Sequence, residues 1–447
     1  MSVVSMLCVF SEKVLYIPFL ALLLGGIILS FKTKFIQLRM IPLMFKLLFC
    51  NFFKKDRDVK KLQTIPSNKA LFTAMATTIG IGNIVSPIMA IGLGGPGALL
   101  GFVLATIFGG ASTFAEVVYA LKFRKKKADG SIMGGPMQYL KTIKPFLAQF
   151  YAVAGFVLLI VWTTNQSNTL AVLLEPYHVP VYISGLIAAV IVLFALIGGI
   201  KRVGNISEKI VPAMFLLYTF AMLWIIGANI KNLIPVIILI FKSAFTPKAL
   251  GGAAVGVGIH KALHWGLSKS FFSNEAGLGI SGIPHSMAAT ENSFNQGILA
   301  VVSVYANGLL CLLSGLAVLV TGLWQVPGLR FDINMLNKAL ALYFPVVGPI
   351  VLVISSLLFA FSTILGNSYN GGQCFLYATK NRWISFYYFL IMIVVFLGAI
   401  ADVDFVWAFS DVFMALIAVP HIIGLVILSF RHGSDLTGKK KGIGDVS

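Results

Sequence analysis

Apolar positions along this chain come in runs of about twenty, and polar positions fall in short bursts between them. A run of that length is what a helix needs to cross the hydrocarbon core of a bilayer. Eleven such runs are expected, at 14–31, 70–92, 98–121, 148–173, 181–199, 210–229, 250–269, 297–323, 346–366, 383–401 and 406–430. Two shorter runs, 41–53 and 233–245, read as interfacial helices. The pattern predicts an all-α polytopic membrane protein with about eleven transmembrane helices and no room for a soluble domain.

Composition agrees. The chain is 58% hydrophobic and 11% charged, where soluble domains carry about 25% charged residues. Its net charge is +19, a value that invites thoughts of nucleic acid until the charges are set against the spans. With Met1 outside, 27 of the 34 Lys and Arg fall inside, six outside, and Lys261 within a span. The inside clusters are Lys54 to Lys61, Lys122 to Lys127, Lys201–Arg202, Lys380 with Arg382, and Lys439 to Lys441. This asymmetry predicts an outside N-terminus and a cytoplasmic C-terminus. It also accounts for the basic charge through topology and anionic lipid, with no nucleic-acid partner. The setting is the plasma (inner) membrane. The first run lacks an A-x-A-like cleavage site and reads as a retained helix. The four cysteines lack metal-ligand or redox spacing and read as packing residues.

One span interrupts itself. In "TTIGIGNIVSPIMAIGLGGPG", Thr77 to Gly97, the run Gly80-Ile81-Gly82-Asn83 sits near mid-span, followed by Pro87. A bilayer tolerates broken backbone only where the freed groups are buried in protein or line a cavity. Close helix packing explains such glycines equally well when they are taken alone. A dinucleotide loop does not fit, because Val85 stands where the third glycine should be. A second polar, glycine-rich break, Phe272-Ser273-Asn274-Glu275-Ala276-Gly277-Leu278-Gly279, ends the span 250–269. With the first span set aside, the breaks fall in core helices 1 and 6 of ten, which run in opposite directions. Interrupted helices in matching places of two halves point to a transporter site.

The motifs "GIGNIVSPIMAIGLGGPGAL", "GGPMQYL", "NQSN", "FSNEAGLG" and "FAFSTILGN" resemble those of the alanine or glycine:cation symporter family over about residues 65–430. The resemblance implies a LeuT-type 5+5 inverted repeat with an extra N-terminal helix and broken core helices 1 and 6. The organisation is then 1–64 as N-terminal helix and basic connector, 65–230 and 231–430 as the two halves, and 431–447 as a basic tail. It implies Na⁺-coupled uptake of a small amino acid such as alanine or glycine, with no organic cofactor. The expected substrate contacts are Thr78, Gly80, Gly82, Asn83, Gln166, Phe272 and Asn367, with Asn168 beside Gln166. The expected Na⁺ ligands are backbone carbonyls at Thr77, Thr78 and Ile81 and the hydroxyl of Thr363. Glu116, Glu275 and Asp411 are read as caps or gate residues.

The chain departs from that family near the site. Ile81 replaces a usual Thr, Ser86 a Gly, Asn367 a Trp, Ala306-Asn307 an Asp-Thr pair, and His421 an Asn. Losing the Trp at 367 predicts a pocket larger or more polar than one for alanine. Losing a hydroxyl at 81 leaves proton coupling open, with Glu275, His264 or His285 as carriers. A binding-only membrane sensor is the alternative of another class. An enzyme is not expected: there is no G-x-S-x-G, no H-E-x-x-H and no acid pair within a span.

Overall fold

The computed structural model of the chain describes residues 16–53, 64–126, 132–175, 178–245, 256–401 and 403–438. Lys54 to Lys61, Lys127, Lys439 to Lys441 and the start of the span expected at 250 lie outside the described residues.

The described elements are helical apart from a two-stranded ribbon. In chain order they are α1 (Tyr16–Lys32), α2 (Ile36–Arg39), α3 (Ile41–Phe53), α4 (Ser67–Thr78), α5 (Gly82–Gly94) and α6 (Ala98–Lys122). The ribbon of β1 (Lys125–Lys126) and β2 (Ile132–Met133) follows, then α7 (Pro136–Lys141), α8 (Pro145–Leu174), α9 (Val181–Leu196), α10 (Gly199–Ala228) and α11 (Ile230–Phe245). The remainder are α12 (Gly256–Asn274), α13 (Gly282–Ser286), α14 (Ser293–Val320), α15 (Ile333–Ala341), α16 (Val347–Ala378), α17 (Ile384–Ile400), α18 (Val403–Arg431) and α19 (Gly433–Leu436). Among them seven segments are long and apolar enough to cross a membrane, counting α4 and α5 as one; α1, α9 and α17 are shorter apolar helices.

Three expected boundaries move most. The helix expected to begin at Ile210 begins at Gly199 as α10. The helix expected to stop at Gly366 runs on to Ala378 as α16, because Gly371 and Gly372 pack under the Tyr387 ring and need not end it. The helix expected to stop at Lys269 continues to Asn274, so Lys269 lies inside the helix, 7% exposed, with its ammonium 5.8 Å from the Trp265 ring centre.

Packing sorts the helices into two groups. α5, α6, α12 and α14 pack on one another, and α8 packs on α16 and α17, with α9 also on α17. Small residues make the close approaches. Gly101 meets Gly266 backbone to backbone between α6 and α12, and Gly308 on α14 sits under Thr106 on α6. Such contacts are the usual glue between helices in lipid. The breaks lie where the two groups meet.

The ends carrying Lys69 and Arg124 are tied together. Ile65, just before α4, forms a parallel bridge with Ala288, just after α13. The Arg124 guanidinium donates to the carbonyls of Ser286 (3.1 Å), Ala288 (2.7 Å) and Thr290 (2.7 Å). Lys122 pairs with Asp435 of α19 and donates to His432 Nδ1 at 3.2 Å. Partial burial and the neighbouring Lys122 ammonium hold His432 below the ordinary histidine range.

Candidate functional site

The first break follows from two side-chain oxygens. In an uninterrupted helix the amides of Gly80 and Ile81 would close onto the carbonyls of Ala76 and Thr77. Here Gly80 N–H donates to Asn83 Oδ1 at 2.8 Å, and Ile81 N–H to Gln166 Oε1 at 3.3 Å. The carbonyls of Ala76 and Thr77 therefore emerge from the end of α4 without those partners. Ile79 turns extended (φ −93°, ψ 94°), and its carbonyl accepts from Thr363 Oγ1 at 3.2 Å. On the far side of the break, the amide of Gly82 at the start of α5 takes no hydrogen bond among the described residues. One short stretch thus offers both the negative end of α4 and the positive end of α5.

The second break follows α12. Glu275 is in the left-handed region (φ 54°), a conformation that strains a residue with a side chain. Gly277 and Gly279 adopt it at φ 87° and 85°, where glycine carries no such penalty. The opened backbone is held from outside. Glu116 Oε1 accepts from Gly279 N–H at 3.0 Å, and Tyr151 donates to the Leu278 carbonyl at 2.6 Å. His421 Nδ1 lies 2.6 Å from the Gly277 carbonyl; a carbonyl only accepts, so the proton is on Nδ1. Nε2 is then free to accept from the Tyr139 hydroxyl at 2.5 Å.

Asn307 on α14 joins the two breaks. Its Nδ2 donates to the carbonyl of Thr78 at 2.5 Å and to that of Ser273 at 2.9 Å. Its own carbonyl accepts from Asn83 Nδ2 at 3.3 Å. Ser273 and Cys311 complete the cluster, 3.3 Å apart, with Cys311 Sγ 3.5 Å from Asn83 Nδ2.

Between the breaks lies a cavity lined by Thr77, Thr78, Gly80, Gly82, Asn83, Trp162, Gln166, Phe272, Ser273, Glu275, Thr363 and Asn367. Only ≈ 20 Å³ is open to the centre of a water-sized sphere, room for about one water. Trp162 and Phe272 meet edge to face at 5.4 Å and form one wall. Four buried atoms on these lining residues have no hydrogen-bond partner among the described residues: Trp162 Nε1, Glu275 Oε2, and both Nδ2 and Oδ1 of Asn367.

All seven expected substrate contacts line this cavity, but not all have groups to spare. Asn83 is 0% exposed and has its amide committed to Gly80, Asn307 and Cys311, so it shapes the break. Asn168 does not line it: its amide donates to the carbonyls of Gly398 and Ala401 on the α17 side, at 3.1 and 2.7 Å. The expected cation carbonyls also shift. The carbonyl of Ile81 is taken up by the amides of Ile84 and Val85, and that of Thr78 by Asn307. The oxygens left without a partner among the described residues are the carbonyls of Ala76 and Thr77, beside the Ile79 carbonyl and the Thr363 hydroxyl, which pair with each other at 3.2 Å. Gly366, one turn beyond Thr363, packs directly on the Ala76–Thr77 backbone. These are the hard oxygen donors, at an unwound half-helix end, that suit an alkali cation.

Of the three acids, Glu275 lines the cavity, Glu116 caps the second break from behind, and Asp411 is buried in α18 and is not a lining residue. His264 stacks on Tyr16 of α1 at 3.8 Å, and His285 accepts from Gln296 at 2.8 Å; neither lines the cavity. Trp162, Ser273, Cys311 and the carbonyl of Ala76 were not legible as site groups; the Ile79 carbonyl falls within the unwound stretch Thr77–Gly80 whose carbonyls were expected to face the substrate ammonium. Only the polarity of "TTNQSN" beside Trp162 hinted at that wall.

The sodium:alanine symporter family model matches residues 1–437. The chain belongs to the sodium:alanine symporter family. A sodium/alanine symporter, AgcS, of Methanococcus maripaludis is 34% identical over 422 residues, covering 92% of this chain and 91% of that protein. An uncharacterized transporter of Haemophilus influenzae is 34% identical over 435 residues, covering 95% and 94%. Solved structures share the fold at low identity. A Na⁺-coupled sialic acid symporter matches with TM-score 0.56 and 13% identity, covering 96% of this chain and 93% of that one. MhsT with L-phenylalanine matches with TM-score 0.58 and 15% identity, covering 84% and 92%. The fold is LeuT-type, and the family transports amino acids by cation-coupled symport; it is not an enzyme family.

Within this symporter family all the departures but Ser86 acquire physical reasons; nothing in the structure explains Ser86. Ile81 is 2% exposed and packs into an apolar cluster. Asn307 supplies the amide that bridges both breaks. His421 holds Gly277. The volume given up at Asn367 is met from across the interface. Contacts of Gly155 with Cys374 and Gly371 with Leu159 set the register of α8 against α16, which places Trp162 level with Asn367. At 367 the wall therefore carries an amide in place of an indole.

Proposed function

We propose that this protein couples inward movement of Na⁺ to uptake of a small neutral amino acid, such as alanine or glycine, by alternating access. The N-terminus is outside, the C-terminus cytoplasmic, and 65–230 and 231–430 are the two halves. The observation that carries this reading is the first break, where Thr77 with its freed carbonyl and Gly82 with its freed amide line one cavity from opposite helix ends.

In this reading Na⁺ sits at the negative end of α4, among the carbonyls of Ala76, Thr77 and Ile79 and the Thr363 hydroxyl. The substrate carboxylate approaches the Gly82 N–H at the positive end of α5. Gln166 holds the neighbouring Ile81 amide at 3.3 Å, a long bond that a carboxylate would replace. The ammonium faces Glu275, whose Oε2 is unpartnered. The ligands then bridge helices of different packing groups, α5 and α12 on one side and α8 and α16 on the other, with α4 packed on α14 and α16 between them. Filling the site favours the arrangement in which these groups close on it.

The test is uptake of radiolabelled alanine by proteoliposomes. A Na⁺ gradient at fixed pH should drive accumulation, and a pH gradient without Na⁺ should not. Accumulation under the pH gradient alone would instead assign coupling to a proton carried at Glu275. Absence of counterflow despite ligand binding would mark a sensor.

A further inference from the structure

Glu116 is fully buried in α6, six residues and about 9 Å short of Lys122 at the cytoplasmic end. Its Oε1 accepts from Gly279 N–H, and its Oε2 has no partner among the described residues. No cation faces it. Glu275 of the second break, Tyr139 of α7 and Tyr151 of α8 lie within reach of its charge. The His421 ring of α18 packs on Gly279, with its proton committed to the Gly277 carbonyl. His285 of α13 is turned to Gln296, Lys32 of α1 to the Phe430 ring, and Lys269 of α12 to the Trp265 ring. A carboxylate without water or a cation is far costlier to bury than the neutral acid, so such a group keeps its proton. The neutral acid still offers Gly279 an acceptor through its carbonyl oxygen.

What covers Glu116 comes partly from outside its own packing group. α6 packs with α5, α12 and α14, whereas Tyr151 belongs to α8 and His421 to α18, which packs on α8. These two hold the carbonyls of Leu278 and Gly277. Movement between the groups that parts them from the break brings cytoplasmic water to Glu116, and a hydrated carboxyl group ionises at neutral pH.

We infer that Glu116 is a proton-binding site that must be filled from the cytoplasm before the cytoplasmic end can close. This rests on the alternating-access reading above and adds a control by cytoplasmic pH to its closing step. The proton enters and leaves on the same side, so none is carried across. The sealed form holds one proton more than the opened form. Rising internal pH therefore favours the opened form and slows the return of the empty protein.

The experiment is the initial rate of Na⁺-driven alanine uptake in proteoliposomes of the full chain, with internal and external pH set separately. The wild-type rate should fall as internal pH rises, by at most about tenfold per pH unit, the limit for one proton. An equal change of external pH should not reproduce this. Glu116→Gln keeps an acceptor for Gly279 and has no proton to lose, so its profile should be flat; Glu116→Asp should keep a slope. Infrared spectra of the wild-type protein with Na⁺ and alanine should show a protonated-carboxyl stretch that Glu116→Gln lacks. A wild-type rate indifferent to internal pH overturns the proposal, as does absence of that band. So does a slope that survives in Glu116→Gln, which would belong to another group such as His432. The symport reading stands in each of these cases. If no Na⁺-driven uptake occurs at any internal pH, both fall.

Discussion

The first break contains a matched pair of glycines, and the structure assigns them opposite tolerances. A methyl added at Gly80 would lie 2.6 Å from Thr363 Oγ1 and 3.2 Å from Gln166 Oε1. Ordinary contact begins near 3.4 Å, so the hydroxyl must move by most of an ångström. Thr363 has nowhere convenient to turn. It is β-branched, its Cβ is itself only 3.3 Å away, and rotation swaps the hydroxyl for the methyl. Either movement breaks the 3.2 Å bond to the Ile79 carbonyl and takes the hydroxyl from the cation oxygens. Overpacking of this kind costs about 1–3 kcal/mol. If the cost falls on the Na⁺-bound form, half-saturating Na⁺ should rise about 5- to 150-fold. A methyl at Gly82 would meet only Ser86 Oγ at 3.8 Å and the Phe272 ring at 3.9 Å, so Gly82→Ala should change half-saturating Na⁺ by less than about twofold. Removing the obstruction should undo the damage. Gly80→Ala in a Thr363→Ala background should cost less than the two single changes added together. The assay is alanine uptake against Na⁺ concentration in proteoliposomes. An unchanged Na⁺ dependence in Gly80→Ala, or equal damage at 80 and 82, would refute the placement of Thr363.

Asn307→Ala removes the donor shared by two buried carbonyls, so the melting temperature of the purified protein should fall; an unchanged melt with normal uptake would deny the bridge a role. At Glu116 the acceptor for Gly279 matters, so Glu116→Gln should keep stability close to wild type and Glu116→Ala should lose about 1–3 kcal/mol. Equal losses in a denaturation series would mean that more than the acceptor is at stake. Asn367→Trp should narrow uptake toward glycine and alanine, because Trp162 already stands at that level, and Trp162→Ala should restore the range; unchanged selectivity in radiolabel competition would count against it. Arg124→Ala removes three donations to the Ser286–Thr290 carbonyls and should lower the maximal uptake rate while leaving half-saturating alanine within about twofold; a purely affinity-based loss would contradict a role in closing that end.

The sequence by itself determined what lies along one helix. Runs of apolar residues set the spans, because a bilayer leaves a backbone little choice except a helix. The placement of Lys and Arg set the expected orientation, and glycines with polar neighbours marked both breaks. Motif resemblance added the family and most of the cavity lining, from Thr77 to Asn367. What the sequence left open depends on which groups meet across helices. Ile81 and Thr78 were expected to lend carbonyls, yet that of Ile81 is taken by the first turn of its own helix α5, and that of Thr78 by Asn307, 229 residues away. Gln166 and Asn168 sit two positions apart on α8 and face different neighbours, Ile81 and the end of α17, because two residues turn a helix by about 200°. Trp162 standing level with Asn367 depends on the register of two antiparallel helices. That register is set by glycine contacts at 155 and 371, and no local pattern records it. Local sequence decides where a chain opens its backbone; only packing decides which side chains take the freed groups and which atoms stay unpaired for a ligand.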